Sequence, residues 1–356
     1  MLYNNFKDIK LSALGLGTMR LPIIDGDDSK IDVEKTKEII KYALNNGINY
    51  FDTAFGYHGG TSESVVGECL SEYDRKSFYL ATKFPGFNLE NVQKKEEIFN
   101  KQLEKCKTDY FDFYLFHCLS DKNVEWYTDD KLGLYDYLSE QKALGKINYL
   151  GFSAHCSFDV FKRFLEKYGK NIDFCQLQLN YLDYKFQDAK AKVELLREYN
   201  IPIWVMEPVR GGKLACLDEE YEKELKKLRP NENIPAWAFR YLQTFPDDKM
   251  ILSGMSNMEQ LKDNINTFSE FKPLNDNELI TLNSIADKMI ASSKIPCTAC
   301  KYCIEKCPKG IDIPSLISKF NDDNTIRIQN PCIACKACEN VCPQGIKISK
   351  IMAKIR

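Results

Sequence analysis

Residues 109–117 run DYFDFYLFH, apolar and aromatic almost without a break from Phe111 to His117. A strand with one face in water alternates polar and apolar positions, whereas a strand buried on both faces does not. The run is too short for a free-standing helix, so it predicts a strand enclosed on both sides. Similar short runs lie on either side of it, at Leu14–Thr18, Ile48–Asp52, Phe78–Lys83, Ile147–Ser153, Asp173–Leu179, Ile201–Met206 and Met250–Ser253. Amphipathic stretches separate them. In EKTKEIIKYALNNG (34–47), Ile39, Ile40, Ala43 and Leu44 share one helical face and Gly47 supplies the stop. VQKKEEIFNKQLEKC, VFKRFLEKYG and DAKAKVELLREYN repeat that design. Eight strand–helix units predict an α/β fold, a (β/α)8 barrel whose function sits on the loops after the strands. An open doubly wound sheet is the alternative. It wants a Gly-x-Gly-x-x-Gly turn after the first strand, which GLGTMR (15–20) lacks.

The chain has 356 residues, 44% hydrophobic and 28% charged, enough for a large core plus an appendage. Its formal net charge of −2, with no basic stripe, argues against nucleic acid as a partner. No basic leader followed by an apolar core opens the chain, and no apolar run approaches the roughly 18 residues that span a bilayer. The expectation is a soluble cytoplasmic protein. Its parts would be a barrel over 1–270, a linker and connecting helix over 271–294, and a small lobe over 295–356.

Fourteen cysteines need a reason. Six of them (Cys69, Cys106, Cys118, Cys156, Cys175, Cys216) are scattered and predicted to be small core residues. The other eight form two runs, CTACKYCIEKCP (297–308) and CIACKACENVCP (332–343). Each is C-x2-C-x2-C-x3-C-P, the bacterial ferredoxin signature for a [4Fe–4S] cluster. Zinc sites pair two C-x2-C knuckles and do not call for a third Cys and a Cys-Pro at these offsets. In two-cluster ferredoxins the fourth Cys crosses over. That groups Cys297, Cys300, Cys303 and Cys342 around one cluster, and Cys332, Cys335, Cys338 and Cys307 around the other. Both runs continue as Cys-Pro-x-Gly-Ile and an amphipathic helix, which resembles the helical type of two-cluster ferredoxin domain.

Four residues at the ends of consecutive strands carry chemistry. FDTAFGY ends the second strand with Asp52 and Tyr57, ATKF ends the third with Lys83, and LFHCL ends the fourth with His117. A phenol is a poor acid at neutral pH unless a nearby cation stabilises its phenolate. Lys83 would be that cation, Asp52 would hold Lys83 charged, and His117 would donate to a carbonyl oxygen while Tyr57 supplies a proton. Alone, each has a plain structural reading: a helix cap, a solvated lysine, a core histidine. Together, in this order, they suit addition of hydride and proton to C=O.

At these residues the chain resembles the aldo-keto reductase superfamily over about residues 10–270. The likeness rests on LGLGTMRLP, DTAFGYHGG, TKF, the strand ending in His117, GFSAH, QLQLNY, MEPVRGGKL and SGMSNMEQLKDNI. It implies a TIM barrel that uses a nicotinamide cofactor without a Rossmann fold, and it implies the tetrad Asp52, Tyr57, Lys83 and His117. It also puts Ser153 and Gln176 at the carboxamide, with Ala154 where the family has Asn and Met206 where an aromatic ring stacks. Ser253 ends the eighth strand, and Asp263 and Asn264 match residues that contact adenine. Gly254 and Gln260 replace basic residues typical of NADPH-preferring members, so NADH is favoured over NADPH. Arg210, Gly211, Gly212 and Lys213 form either a phosphate cradle or a structural turn. Arg20, after the first strand, either meets an anionic substrate or pairs with a local acid.

Hydride carries two electrons and a cluster takes one, and a flavin can mediate where nicotinamide does not. Three readings follow. In the first, an NAD(P)H-dependent enzyme interconverts a small carbonyl and an alcohol, with clusters that are structural or serve slower redox. In the second, FMN at the barrel mouth links clusters, or a ferredoxin- or flavodoxin-type carrier, to substrate. In the third, the lobe docks or senses and the barrel site is vestigial.

Overall fold

The structure, a computed structural model, describes every residue except 187, 188, 246, 247, 293, 294, 300, 324, 328, 329, 343 and 356. It opens with an antiparallel hairpin, β1 (Tyr3–Phe6) and β2 (Ile9–Ser12), which is not among the expected strands. Eight strands then alternate with helices: β3 (Leu14–Gly17), β4 (Tyr50–Asp52), β5 (Tyr79–Phe84), β6 (Phe111–Leu119), β7 (Ile147–Ala154), β8 (Phe174–Gln178), β9 (Ile203–Met206) and β10 (Asp248–Gly254). Each pairs in parallel with the next, and β10 returns to β3, so the sheet is a closed barrel. Every predicted strand is present, and the open-sheet alternative falls with the β10–β3 pairing.

The aromatic run behaves as its composition requires. Phe113 and Leu115 belong to the core cluster inside the barrel, with Phe6, Tyr50, Phe174, Trp204 and Met250. Tyr114 packs outward on Phe99 of helix Lys95–Lys105, and Phe116 on Phe164 of helix Phe158–Tyr168. The Phe113 ring lies within 6.3 Å of six other aromatic rings, so the hairpin's Phe6 closes the bottom of a stack rather than a void. Rings this large leave no room for side chains on some strand positions. A Cβ on Gly151 would sit 2.5 Å from the Phe174 ring, and one on Gly15 would sit 2.8 Å from Leu252 and Met250.

Chain contacts divide the protein into two compact units, Met1–Pro208 with Ala236–Asn275, and Val209–Pro235 with Asp276–Arg356. The expected barrel takes in all of 1–270, whereas the loop and helix that follow β9 group with the C-terminal residues. In that second unit, helix Glu219–Leu228 packs on helix Asp276–Ser292, and Arg229 grips Glu278 through Nε and Nη2 at 2.6 and 2.7 Å. The lobe's core is largely isoleucine: Ile295, Ile311, Ile313, Ile317, Ile346, Ile348 and Ile355, joined by Met352, Cys303 and Cys338. Two of the scattered cysteines depart from expectation, because Cys216 is exposed and Cys118 half-buried; the other four are buried.

Phe113→Ala should lower barrel stability by about 3–5 kcal/mol, measured as the shift in urea midpoint, because the six rings around it cannot collapse together. A loss under 1 kcal/mol would show that the stack is not the core's keystone.

Candidate active site and cluster lobe

Barrel closure brings the C-terminal ends of β4, β5 and β6 side by side, with Asp52 opposite Ala81 and Lys83 opposite Leu115 in the ladder. His117 keeps the inward parity of Phe113 and Leu115, so it meets the rim from inside. Lys83 is 1% exposed. Its ammonium donates to Asp52 Oδ1 at 2.5 Å, to the Thr53 carbonyl at 2.7 Å and to the Tyr57 hydroxyl at 3.3 Å. The same nitrogen lies 4.9 Å from the centre of the Tyr57 ring. Burial opposes charge on Lys83, but the Asp52 carboxylate and then Tyr57 outweigh it, so its pKa stands above the ordinary value. Burial raises the Asp52 carboxyl, against the pull of Lys83 and the neighbouring Gln176 amide.

Residues the sequence did not single out hold these groups in place. Gln102 Nε2 donates to the Lys83 carbonyl at 3.0 Å and to the fully buried Glu63 at 2.7 Å. Glu63 in turn takes Thr82 at 2.7 Å and Lys105 at 2.9 Å. Beside Tyr57, His58 adopts φ 53° and spans two loops. Its Nε2 accepts from Leu21 N at 3.2 Å while Nδ1 donates to the Asp28 carbonyl at 2.8 Å.

The His117 ring stands edge-on to Tyr57, 5.9 Å between centres, and 5.0 Å from Phe87. Its Nδ1 is buried without a hydrogen-bond partner among the described residues. Burial, then Lys83, then His155 push its pKa well below the ordinary histidine value, so the imidazole is neutral near pH 7. Its backbone carbonyl accepts from Tyr127 Oη at 2.7 Å.

The residues expected around a cofactor fall into three groups. Ser153 and Gln176 are direct cross-strand neighbours on β7 and β8. Ser153 Oγ accepts from Cys118 N at 2.7 Å, where β6 bulges and Cys118 takes φ 55°. Its hydroxyl proton therefore points elsewhere, and Gln176 Oε1 is buried without a partner. One donor and one acceptor side by side complement a primary carboxamide, so the pair fits nicotinamide. Met206, half-buried at the end of β9, pairs with Gln178. In the second group, on β10 and helix Met258–Thr267, Asn264 donates to Ser253 Oγ at 3.1 Å, and Asp263 precedes it. Arg20 meets Glu207 at 3.4 Å, the local acid of its alternative reading. The third group is Arg210, Gly211, Gly212 and Lys213, which lie in the second compact unit. Arg210 and Lys213 are electrostatic neighbours of Cys297 there.

In the lobe the two cysteine runs fold alike. Ala299 and Lys301 have φ 52° and 66°, and Ala334 and Lys336 have φ 54° and 63°. Left-handed backbone thus flanks the second cysteine of each run. Cys300 itself lies outside the described residues. Ala299 N donates to Cys297 Sγ at 3.4 Å, and Cys342 is an electrostatic neighbour of Cys297. Cys307, Cys332, Cys335 and Cys338 line one small cavity of about 20 Å³. Three of these cysteines come from the second run and the fourth from the first.

The protein has three histidines. Two resist protonation in the fold, His117 well below the ordinary value and His155 at about 4, the latter through burial and then Lys192. Unfolded, both titrate near pH 6.5, so between about pH 5 and 6.5 the unfolded chain holds more protons and stability falls as pH falls. Each imidazole adds a slope approaching about 1.4 kcal/mol per pH unit. Urea midpoints measured across that window should flatten in His117→Gln and in His155→Gln, and unchanged slopes would contradict neutral burial.

Comparison with known proteins bears on this geometry. The family model described as "Aldo/keto reductase family" matches residues 13–287, and the one described as "4Fe-4S dicluster domain" matches residues 296–346. Among curated relatives, an uncharacterized oxidoreductase of Bacillus subtilis, YqkF, is 26% identical, covering 78% of this chain and 93% of its own. The NADH-specific methylglyoxal reductase of Escherichia coli is 28% identical, covering 72% and 90%. Among solved structures, the holo form of an aldo-keto reductase from Bacillus halodurans superposes with a TM-score of 0.65 at 25% identity, covering 80% of this chain and 96% of that one. An eight-stranded closed barrel and a family match over most of its length make this chain a member of the aldo/keto reductase family, an oxidoreductase that also carries a 4Fe-4S dicluster domain.

Proposed function

We propose that the barrel mouth reduces a small carbonyl compound to an alcohol, or runs the reverse, with NADH as the hydride source. The observation that carries this reading is the Lys83 ammonium held between the Asp52 carboxylate at 2.5 Å and the Tyr57 hydroxyl at 3.3 Å. An ammonium at that distance stabilises the negative charge that develops on the phenol oxygen as its proton leaves. Asp52 keeps the ammonium charged in a buried place. Neutral His117 can donate to the substrate oxygen without placing a second cation beside Lys83, and Phe87 and Tyr127 fix its ring and backbone. Bound nicotinamide supplies the hydride, and Ser153 and Gln176 would orient its carboxamide.

NADH is favoured over NADPH because neither Gly254 nor Gln260 offers positive charge to a 2′-phosphate. Gln260 Oε1 is already engaged by Ser256 N at 2.8 Å. The Escherichia coli relative whose name specifies NADH supports the same preference. Arg20, paired with Glu207, gives no support to an anionic substrate.

For the lobe we propose two [4Fe–4S] clusters with crossed ligation, which pass single electrons or hold the lobe together. Ligands would be Cys297, Cys300, Cys303 and Cys342 for one, and Cys332, Cys335, Cys338 and Cys307 for the other. A second reading of the barrel, with FMN in place of nicotinamide and electrons exchanged with the clusters or a ferredoxin- or flavodoxin-type carrier, is favoured by Ala154 and Met206 at nicotinamide-facing positions. Acid release followed by fluorescence separates the two, since flavin in stoichiometric amount would displace the NADH assignment.

Tyr57→Phe should cut NADH-dependent reduction of small aldehydes by about 10²-fold or more while leaving the cluster absorbance unchanged; full activity in the variant would end the reductase reading. Cys307→Ser should remove about half of the bound iron, sparing the cluster on Cys297, Cys303 and Cys342. Loss confined to that other cluster would refute the crossing.

A further inference from the structure

The two cysteine runs repeat one pattern, Pro-Cys-x-Ala-Cys-Lys, starting at Pro296 and at Pro331, yet they do not share one environment. In the first, Thr298 is 4% exposed, and Pro296 and Ala299 are half-buried. In the second, Ile333 is 58% exposed, and Pro331, Ala334 and Cys335 are exposed with it. A threonine is covered where its isoleucine counterpart is bare, the reverse of what transfer from water favours. A single exposed apolar side chain needs no explanation. Here an apolar stretch, 331–335, lies open beside the cysteines, and left-handed backbone at Ala334 and Lys336 holds its shape.

Its rim is basic. Among the described residues lining the cavity of Cys307, Cys332, Cys335 and Cys338, Lys309 and Lys336 are charged and exposed, and none is acidic. Glu339 is an electrostatic neighbour of both Lys336 and Lys347, so one carboxylate stands against two ammonium groups, and its Oε1 also accepts from Ser349 N at 2.7 Å. Residues 295–356 hold eight Lys and two Arg against three Asp and two Glu, an excess of five positive charges, whereas residues 1–294 carry a net −7. Two oxidised [4Fe–4S] clusters on eight thiolates would offset about four of those five charges. The lobe then stays positive while the rest of the chain is negative. A negatively charged partner is repelled by most of this protein and drawn to the lobe.

We propose that the face formed by Pro331, Ile333, Ala334, Lys336 and Lys309 docks a small acidic protein that carries single electrons, with Ile333 at the centre of the contact. An apolar centre inside a polar rim is the anatomy of a protein interface, and electron-transfer contacts lie at the small end of the size range. Per encounter, one electron would leave the carrier and enter the cluster beneath this face, the carrier oxidised and the cluster reduced by one, with no bond made or proton moved. The port is the cluster on Cys332, Cys335, Cys338 and Cys307, and not the one on Cys297, whose loop is covered. This assignment rests on the reading that the lobe holds two clusters, and adds to it where electrons enter or leave.

Isothermal titration calorimetry of the anaerobically purified, full-length protein tests it, with an acidic flavodoxin as the probe at low salt, where surface charge is least screened. The flavodoxin should bind, and more weakly as salt rises. Ile333→Glu should weaken binding by at least about ten-fold, since burying an isoleucine is worth that much and a carboxylate adds repulsion. Its iron content and cluster absorbance should match the parent protein. Leu144→Glu, which replaces another exposed apolar residue outside the lobe, should bind as the parent does. If Ile333→Glu loses iron, Lys309→Gln combined with Lys336→Gln carries the test, with binding about five-fold weaker and a flatter salt dependence expected. No binding by iron-replete protein, binding that these variants leave intact, or equal loss in Leu144→Glu overturns the proposal. Self-association in sedimentation that Ile333→Glu abolishes, without flavodoxin binding, gives the face to a second copy of the chain and overturns it too. Protein that holds no iron defeats the cluster reading and this one with it, whereas iron-replete protein that does not bind defeats this one alone.

Discussion

A buried ammonium is tolerable only when its charge is answered, because removing it from water costs several kcal/mol. Lys83 meets that constraint with one carboxylate, one carbonyl and one phenol drawn from the loop after β4 and from β4 itself. Much of the rim follows from it. Asp52 must be ionised and inward, Tyr57 must fold back over the mouth, and His117 must stay neutral because a second cation nearby would repel the first. The Glu63–Gln102 network then secures the backbone of β5 from behind, and His58 secures the loop that bears Tyr57. Chemistry at this rim is a by-product of solving an electrostatic problem in one particular way.

The lobe answers a different constraint. Its core is a small set of isoleucines and one methionine, and a segment of that size seldom folds on apolar burial alone. Crossed ligation of the kind proposed would offset the shortage: each cluster would join both halves, so cluster binding and folding would be one event. The repeated left-handed residues at Ala299, Lys301, Ala334 and Lys336 show that both loops are already shaped alike. Non-glycine residues at positive φ persist where surrounding structure enforces them.

Placing basic residues from the β9 loop beside Cys297 has an electrostatic meaning as well. A cluster held at Cys297 would gain negative charge on reduction, and cationic neighbours such as Arg210 and Lys213 would favour that state. The loop that sequence likeness offered as a phosphate cradle thus belongs, by its contacts, to the cysteine unit.

What was legible in the chain was whatever depends on local pattern. Uninterrupted apolar runs such as Phe111–His117 announce strands covered on both faces, strand ends locate Asp52, Lys83 and His117, and the repeated Cys spacing announces the 4Fe-4S dicluster domain. Hidden were the groups whose role depends on partners distant in sequence. Nothing near Glu63 says it is buried until Gln102 and Lys105 arrive some forty residues later, nothing near Arg20 says Glu207 will take it, and Phe6 looks like a surface residue until the barrel floor needs a ring. Local periodicity is written residue by residue, so sequence alone determined the barrel, the four rim groups and the paired cluster motifs. Which polar atoms are answered and which loop joins which unit were decided only by tertiary closure, because burial and electrostatics depend on neighbours that the chain order does not reveal.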